Sequence, residues 1–262
     1  MTDMLHEAGL MLEPWSLPLT GALLLLAMVV AYLLGRNWAA HHAGNPLDNP
    51  VLSGMFGLLA LLMAFALSLA IGRFEERRRL VVAEANAIST MDTNLALLSS
   101  EETRSLKPGL AEYAAIRVAV GNTADDAAWQ IRWNEGNAQR ARFGKDLFAI
   151  LRSGPPDTRT PLLAQSYSAM GDAATMRHAA RQAHLPGEVL VLLGLYCLAA
   201  AGVLGSAHAH KHGSGLVGAS LLLALLASAF VVILDLDQPR RGTIIVPQDE
   251  LAAVAAQLHS QR

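Results

Sequence analysis

The residues of this 262-residue chain that could do chemistry fall into a few groups. Five of its nine histidines, His41, His42, His208, His210 and His212, lie in the two short segments expected on the outer side. In the run HAHKH, imidazoles stand at every second position, where an extended loop would point them to one side. His208, His210 and His212 are thus weak metal-ligand candidates. No cysteine or carboxylate stands with them, and solvated loop histidines are the plainer reading. A second group is charged. Arg77, Arg78, Arg79 and Glu84 follow one apolar block, Asp235 and Asp237 close another, and Arg240 and Arg241 come after Pro239. Interfacial charge is the simple account; a clamp between the aspartates and Arg77–Arg79 at one depth is the alternative. A third group is a stripe of small residues, Ser53, Gly57, Ala60, Ala64, Ser68 and Gly72, at helical spacings of 3 or 4. Such a stripe suits close helix packing. It could also form a narrow pore wall with two hydroxyls, gated by dewetting at Phe56 and Phe65 unless those rings face lipid or pack. The lone Cys197 excludes an internal disulfide and a cysteine-built zinc site, and reads as packing.

No catalytic constellation accompanies these groups. There is no glycine-rich phosphate loop, no G-x-S-x-G, no H-E-x-x-H and no acidic calcium loop. The expectation is a protein that is not an enzyme and carries no cofactor. With 20 Lys+Arg against 22 Asp+Glu, no basic surplus is left to neutralise phosphates, so nucleic acid is not an expected partner.

The elements that must position these groups are apolar helices. The chain is 53% hydrophobic and 16% charged, whereas soluble domains are about 25% charged. Its hydrophobicity sits in four uncharged blocks: 22 residues between Glu13 and Arg36, 24 between Asp48 and Arg73, 19 between Glu188 and His208, and 22 between His212 and Asp235. A bilayer core needs roughly 20 apolar helical residues, so each block can span, and lipid is a partner. Pro18, Pro50 and Pro186 stand near the block starts, as helix N-termini allow. Trp15 and Trp38 bracket the first block ~35 Å apart, as interfacial anchors would. The first 35 residues hold no Lys or Arg and three acids precede the apolar run, which does not fit a cleavable signal peptide. No block contains a charge, so no proton relay at the bilayer centre is expected.

Four spans place both termini and the long middle region on one side. That side carries Arg73, Arg77, Arg78, Arg79, Arg177, Arg181, Arg240 and Arg241, while the short loops carry only Arg36 and Lys211. The positive-inside rule makes the arginine-rich side cytoplasmic, although the acidic N-terminus followed by Arg36 pulls the other way for the first helix alone. Arginine supplies 17 of the 20 basic residues, as GC-rich bacterial genomes favour, and the expected location is a bacterial inner membrane.

The middle region lacks alternating or hairpin patterns and reads as helical. The second block has no breaker at its polar end, and Phe74, Val81, Ile88, Met91, Leu95 and Leu98 continue one 3–4-spaced seam, interrupted by Arg77 and Glu84. One helix from about Val51 to Leu98 is expected. Ser99 and Glu102 form a capping-box pattern for the next, which Pro108–Gly109 should kink or split. Further helices are expected from about Asp125 to Leu151 and from about Thr160 into the third span. A short β-like run, Thr243–Val246, precedes a terminal amphipathic stretch. The fold class is all-α, a four-span membrane protein with a helical cytoplasmic region between spans 2 and 3. Its parts are 1–50 (N-terminal segment, first span, outer loop), 51–98 (second span and extension), 99–185 (helical region), 186–235 (third and fourth spans) and 236–262 (tail).

The stretches Arg79–Ile88 (RLVVAEANAI), Tyr113 with Arg117, His184–Gly187 (HLPG) and Leu234–Gly242 (LDLDQPRRG) follow one another in order. Through them, over about residues 50–250, the sequence resembles the bestrophin-like domain family, a bacterial and plant group. It implies kinship with bestrophins: pentameric channels for small anions, four spans per subunit, cytosolic termini and a pore lined by the second span. Animal bestrophins carry an acidic calcium clasp that has no counterpart here. Two functions follow as expectations: an oligomeric channel for small inorganic anions, or a non-conducting scaffold or sensor whose cytoplasmic helices bind a partner.

Overall fold

The computed structural model describes residues 17–41, 49–153, 158–209, 216–238 and 242–261. Among these the regular elements are helices: α1 (Leu17–His41), α2 (Asn49–Leu95), α3 (Ser100–Asn122), α4 (Asp126–Ser153), α5 (Arg159–Gln182), α6 (Gly187–Ala207), α7 (Leu216–Asp237) and α8 (Asp249–Ser260). Four stretches are long and apolar enough to cross a membrane. They lie in Leu17–His41, Val51–Leu95, Arg159–Ala207, whose apolar part is α6, and Leu216–Asp237.

The chain divides into two compact units. The apolar unit comprises the described residues up to Arg73 together with His184–Gln238. In it α1 packs on α6 and α7, burying Met28 and Tyr32. The approach to α6 is set by glycine. A Cβ on Gly35 would lie 2.0 Å from the Gly202 carbonyl oxygen, and one on Gly205 would lie 1.9 Å from that of Tyr32. In lipid, where burying an apolar side chain gains little, such backbone approach is what holds helices together. At the end of α7, Asp237 accepts a hydrogen bond from the Leu185 amide at 2.9 Å and lies 3.4 Å from His184. This carboxylate ties down the HLPG segment that leads into α6.

The polar unit comprises Phe74–Ala183 and the described residues after Pro239. Its core joins Val81, Ile88, Met91 and Leu95 of α2 to Leu110 and Tyr113 of α3, Phe143 and Leu147 of α4, Leu163 and Met170 of α5 and Leu251 of α8. The expected seam is therefore the core seam, with Phe74 and Leu98 at its margins. Arg77 and Glu84 do not interrupt it; both are buried within it.

Local expectations fared differently. The capping box forms, Ser99 Oγ accepting from the Glu102 amide at 3.3 Å and the Glu102 carboxylate accepting from the Ser99 amide at 2.9 Å. Pro108 does not split α3. A proline inside a helix costs about 3 kcal/mol, but Leu106, Leu110 and Ala111 on either side are buried, and that packing holds the helix through it. The run Thr243–Val246 forms no strand. Among the described residues there is no strand for it to pair with, and Val246 instead inserts into the helical core. The helix expected from about Thr160 does not run into the third span: α5 stops at Gln182 and 183–186 are irregular, since the residue before Pro186 is pushed out of the helical region.

Candidate functional site

Residues on α2 advance by roughly 100° about its axis. Leu59, Met63, Ala66 and Ala70 are buried and define the packed face of its apolar half. Ser53, Gly57, Ala60, Ala64 and Ser68 are exposed and centre roughly 140° away from that face. No atom outside the helix comes within 4 Å of a Cβ placed on Gly54, Gly57 or Gly72. Leu58, Leu61, Phe65 and Leu69 occupy a third, bulky and exposed face. The small-residue stripe is thus brought together as one exposed face of α2 among the described residues. Phe56 and Phe65 are not brought together. Nine residues apart, they project from opposite sides of the helix, each about 90° from the stripe, with Phe65 exposed and Phe56 half-buried.

The charged residues separate into distinct settings. Arg79 is exposed and pairs with Glu76 along its own helix at 2.6 Å, while Arg78 is exposed. Arg77 is buried and donates to the backbone carbonyls of Ala180 at 3.1 Å and Ala183 at 2.7 Å, closing the C-terminal end of α5. Asp235 and Asp237 are both buried at the end of α7. Arg240 and Arg241 lie outside the described residues, as do His210 and His212. His208 uses Nδ1 on the Leu204 carbonyl one turn earlier at 2.8 Å. Among the described residues no group of three His, Cys, Asp or Glu could hold a metal.

Glu84 is the centre of the cluster in the polar unit. Completely buried, it accepts from Arg117 Nε on one carboxylate oxygen and from Arg177 Nη1 on the other. Arg177 Nη2 continues to Gln248 Oε1, and Gln248 donates to the Val246 carbonyl at 3.1 Å. Gly121 makes room for this junction: a Cβ there would lie 2.1 Å from Arg177 Nη2 and 2.2 Å from Gln248 Oε1. Burial pushes the Glu84 carboxyl up, but Arg117 and Arg177 outweigh it and hold the group below its ordinary value. Burial likewise lowers Arg177, partly offset by Glu84, and pushes the nearby Tyr113 phenol up to about 12. An aromatic stack adjoins the cluster. Trp129, Trp133 and His178 lie with ring centroids 4.6–5.5 Å apart, and the guanidinium groups of Arg117 and Arg181 sit 4.8 Å over Trp133 and Trp129 respectively.

Sequence reasoning placed Glu84 among the charges at the membrane exit and missed its partners. The signal was present in part. Residues 77, 81, 84, 88, 91 and 95 repeat at alternating spacings of 4 and 3, so Glu84 stands on the core seam, where a carboxylate needs counter-charges. Which arginines supply them is a tertiary fact, 33 and 93 residues away.

The apolar spans, the long second helix and the helical polar unit define a multi-pass membrane protein of the bestrophin type. Residues 21–251 match the family model for the Bestrophin-like domain, and the chain belongs to that family. Among solved structures, a point variant of a bacterial bestrophin homologue from Klebsiella pneumoniae superposes with a TM-score of 0.70 at 16% identity, covering 92% of this chain and 97% of that one. A second point variant of a Klebsiella pneumoniae homologue gives 0.68 at 15% identity, covering 93% and 96%. At such identities the likeness speaks for the fold alone. No curated protein matches significantly in sequence.

Proposed function

We propose that the protein is a homo-oligomeric channel for small inorganic anions, with α2 of each subunit around the axis and Ser53, Gly57, Ala60, Ala64 and Ser68 lining the path. Kinship with bestrophins supports a pentamer in a bacterial inner membrane, with both termini cytoplasmic as the eight-to-two distribution of basic residues favours. The observation that carries the reading is the small-residue face of α2, exposed among the described residues and turned away from both the packed face and the bulky one. A charge-free wall passes ions only when water fills it, so small and hydroxyl-bearing residues suit the axis and bulky ones suit lipid or neighbouring subunits. Phe65 and Phe56 then flank the path from opposite sides, and a dewetted constriction needs one ring per subunit turned towards the axis.

The test is cysteine substitution at the five stripe positions in a Cys197→Ala background, with a water-soluble thiol reagent. Modification recurring every three to four residues supports the channel. Protection at all five positions, in a protein that passes no anions in liposomes, leaves a non-conducting scaffold whose polar helices bind a partner.

A further inference from the structure

A cavity in the polar unit opens beside the Glu84 cluster, with ≈ 480 Å3 of empty volume including its open mouth. Arg77, Arg117, Arg177 and Arg181 line it together with Trp129, Trp133 and His178. A guanidinium carries five N–H donors and accepts nothing. Arg177 uses Nη1 on Glu84 and Nη2 on Gln248; Arg181 uses Nη1 on the Thr123 carbonyl and Nη2 on Asp126; Arg117 uses only Nε, on Glu84. Both Glu84 oxygens are engaged, each by one guanidinium. Arg117 Nη1 is left buried with no partner, and so is His178 Nδ1. An unpaired guanidinium donor beside further arginines around an aromatic-walled opening forms a setting that an oxyanion completes.

We propose that this cavity binds one small oxyanion, a phosphate or a short carboxylate, through the guanidinium groups of Arg177 and Arg181, with Arg117 behind them and the Trp129–Trp133–His178 stack as its wall. Several arginines offering paired N–H groups favour the planar or tetrahedral oxygens of such an anion over a spherical halide. The His178 pKa agrees with a cationic surrounding: burial, Arg117 and Arg181 together lower it. The site lies wholly within the polar unit and does not depend on whether the spans conduct.

Trp129 and Trp133 are two of only four tryptophans, so intrinsic fluorescence reports on the cavity. The full chain, purified in detergent, is titrated with inorganic phosphate and, separately, with acetate, at constant ionic strength against sodium chloride. A saturable fluorescence change with phosphate or acetate, absent with chloride, is expected, and the two arms decide which oxyanion the site prefers. Arg181→Gln should weaken the saturation midpoint at least about tenfold, because a charge-assisted contact is removed. Trp133→Leu keeps every charge and removes part of the wall; it too should weaken binding, with melting of the protein by oxyanion as its readout if fluorescence is lost. No saturable response to either oxyanion, a response that chloride reproduces, or an unchanged midpoint in Arg181→Gln would overturn the proposal.

Discussion

In the apolar unit α1 and α6 approach until a Cβ at Gly35 or Gly205 would overlap a facing carbonyl oxygen. In the polar unit α2 to α5 are joined instead through large side chains, Met91, Leu110, Phe143 and Leu163, around a fully buried carboxylate held by two arginines. The same chain thus uses two kinds of cohesion, and the solvent decides which. Lipid tails are as apolar as leucine, so helices there are held by close van der Waals approach. In water, burying apolar area contributes about 25 cal/mol per Å2, and bulky side chains do the work. Small residues on α2 fit neither pattern inside one protomer. The stripe from Ser53 to Ser68 is small like a packing face, yet among the described residues nothing packs on Gly57.

The largest break in this comparison should come from Glu84→Ala. Removing one partner of a buried charge cluster leaves Arg117 and Arg177 uncompensated and costs roughly 3–5 kcal/mol, read as a lower melting midpoint reported by Trp129 and Trp133. Acid should act on the same group. Its carboxyl is held below the ordinary 4.5, so its stabilising contribution is complete above that value and is lost as pH falls through the depressed folded one. Glu84→Gln should flatten that acid limb; an unchanged limb would assign acid sensitivity to other carboxylates.

Next in size is the contrast between glycines. Gly35→Ala must separate α1 from α6 and should cost about 1–3 kcal/mol, as overpacking does. Gly57→Ala meets open space and replaces a poor helix former by the best one, so thermal stability should hold or rise slightly. Equal losses at the two positions would show that the α2 stripe is a packing face after all. Asp237→Asn keeps an oxygen able to accept from the Leu185 amide and should cost only about 1 kcal/mol, measured by melting. Smallest of all is Arg79→Ala, which removes an exposed pair with Glu76 and should leave the melting midpoint unchanged.

The architecture was readable in the sequence because its signals are local. Uncharged runs mark the spans, the absence of a breaker after Arg73 marks the long α2, and Ser99 with Glu102 marks the start of α3. Pro108 misled because tertiary burial on both flanks overrode a local penalty. Thr243–Val246 misled because β-propensity means little without a partner strand. The stripe on α2 was legible as a pattern, since spacing alone puts it on one face. The Glu84 cluster and the arginine-lined cavity were not, because their members come from five segments far apart in the chain.

The channel reading meets its most direct test in anion efflux from liposomes reconstituted with the wild-type protein and with Ala64→Leu. Wild-type vesicles should release chloride, and an isobutyl group projecting from the middle of the stripe should suppress that release at least about tenfold by closing a water-filled path. Wild-type vesicles that hold their chloride, or an Ala64→Leu variant that conducts like wild type, would contradict the assignment of the small-residue face of α2 as the pore wall.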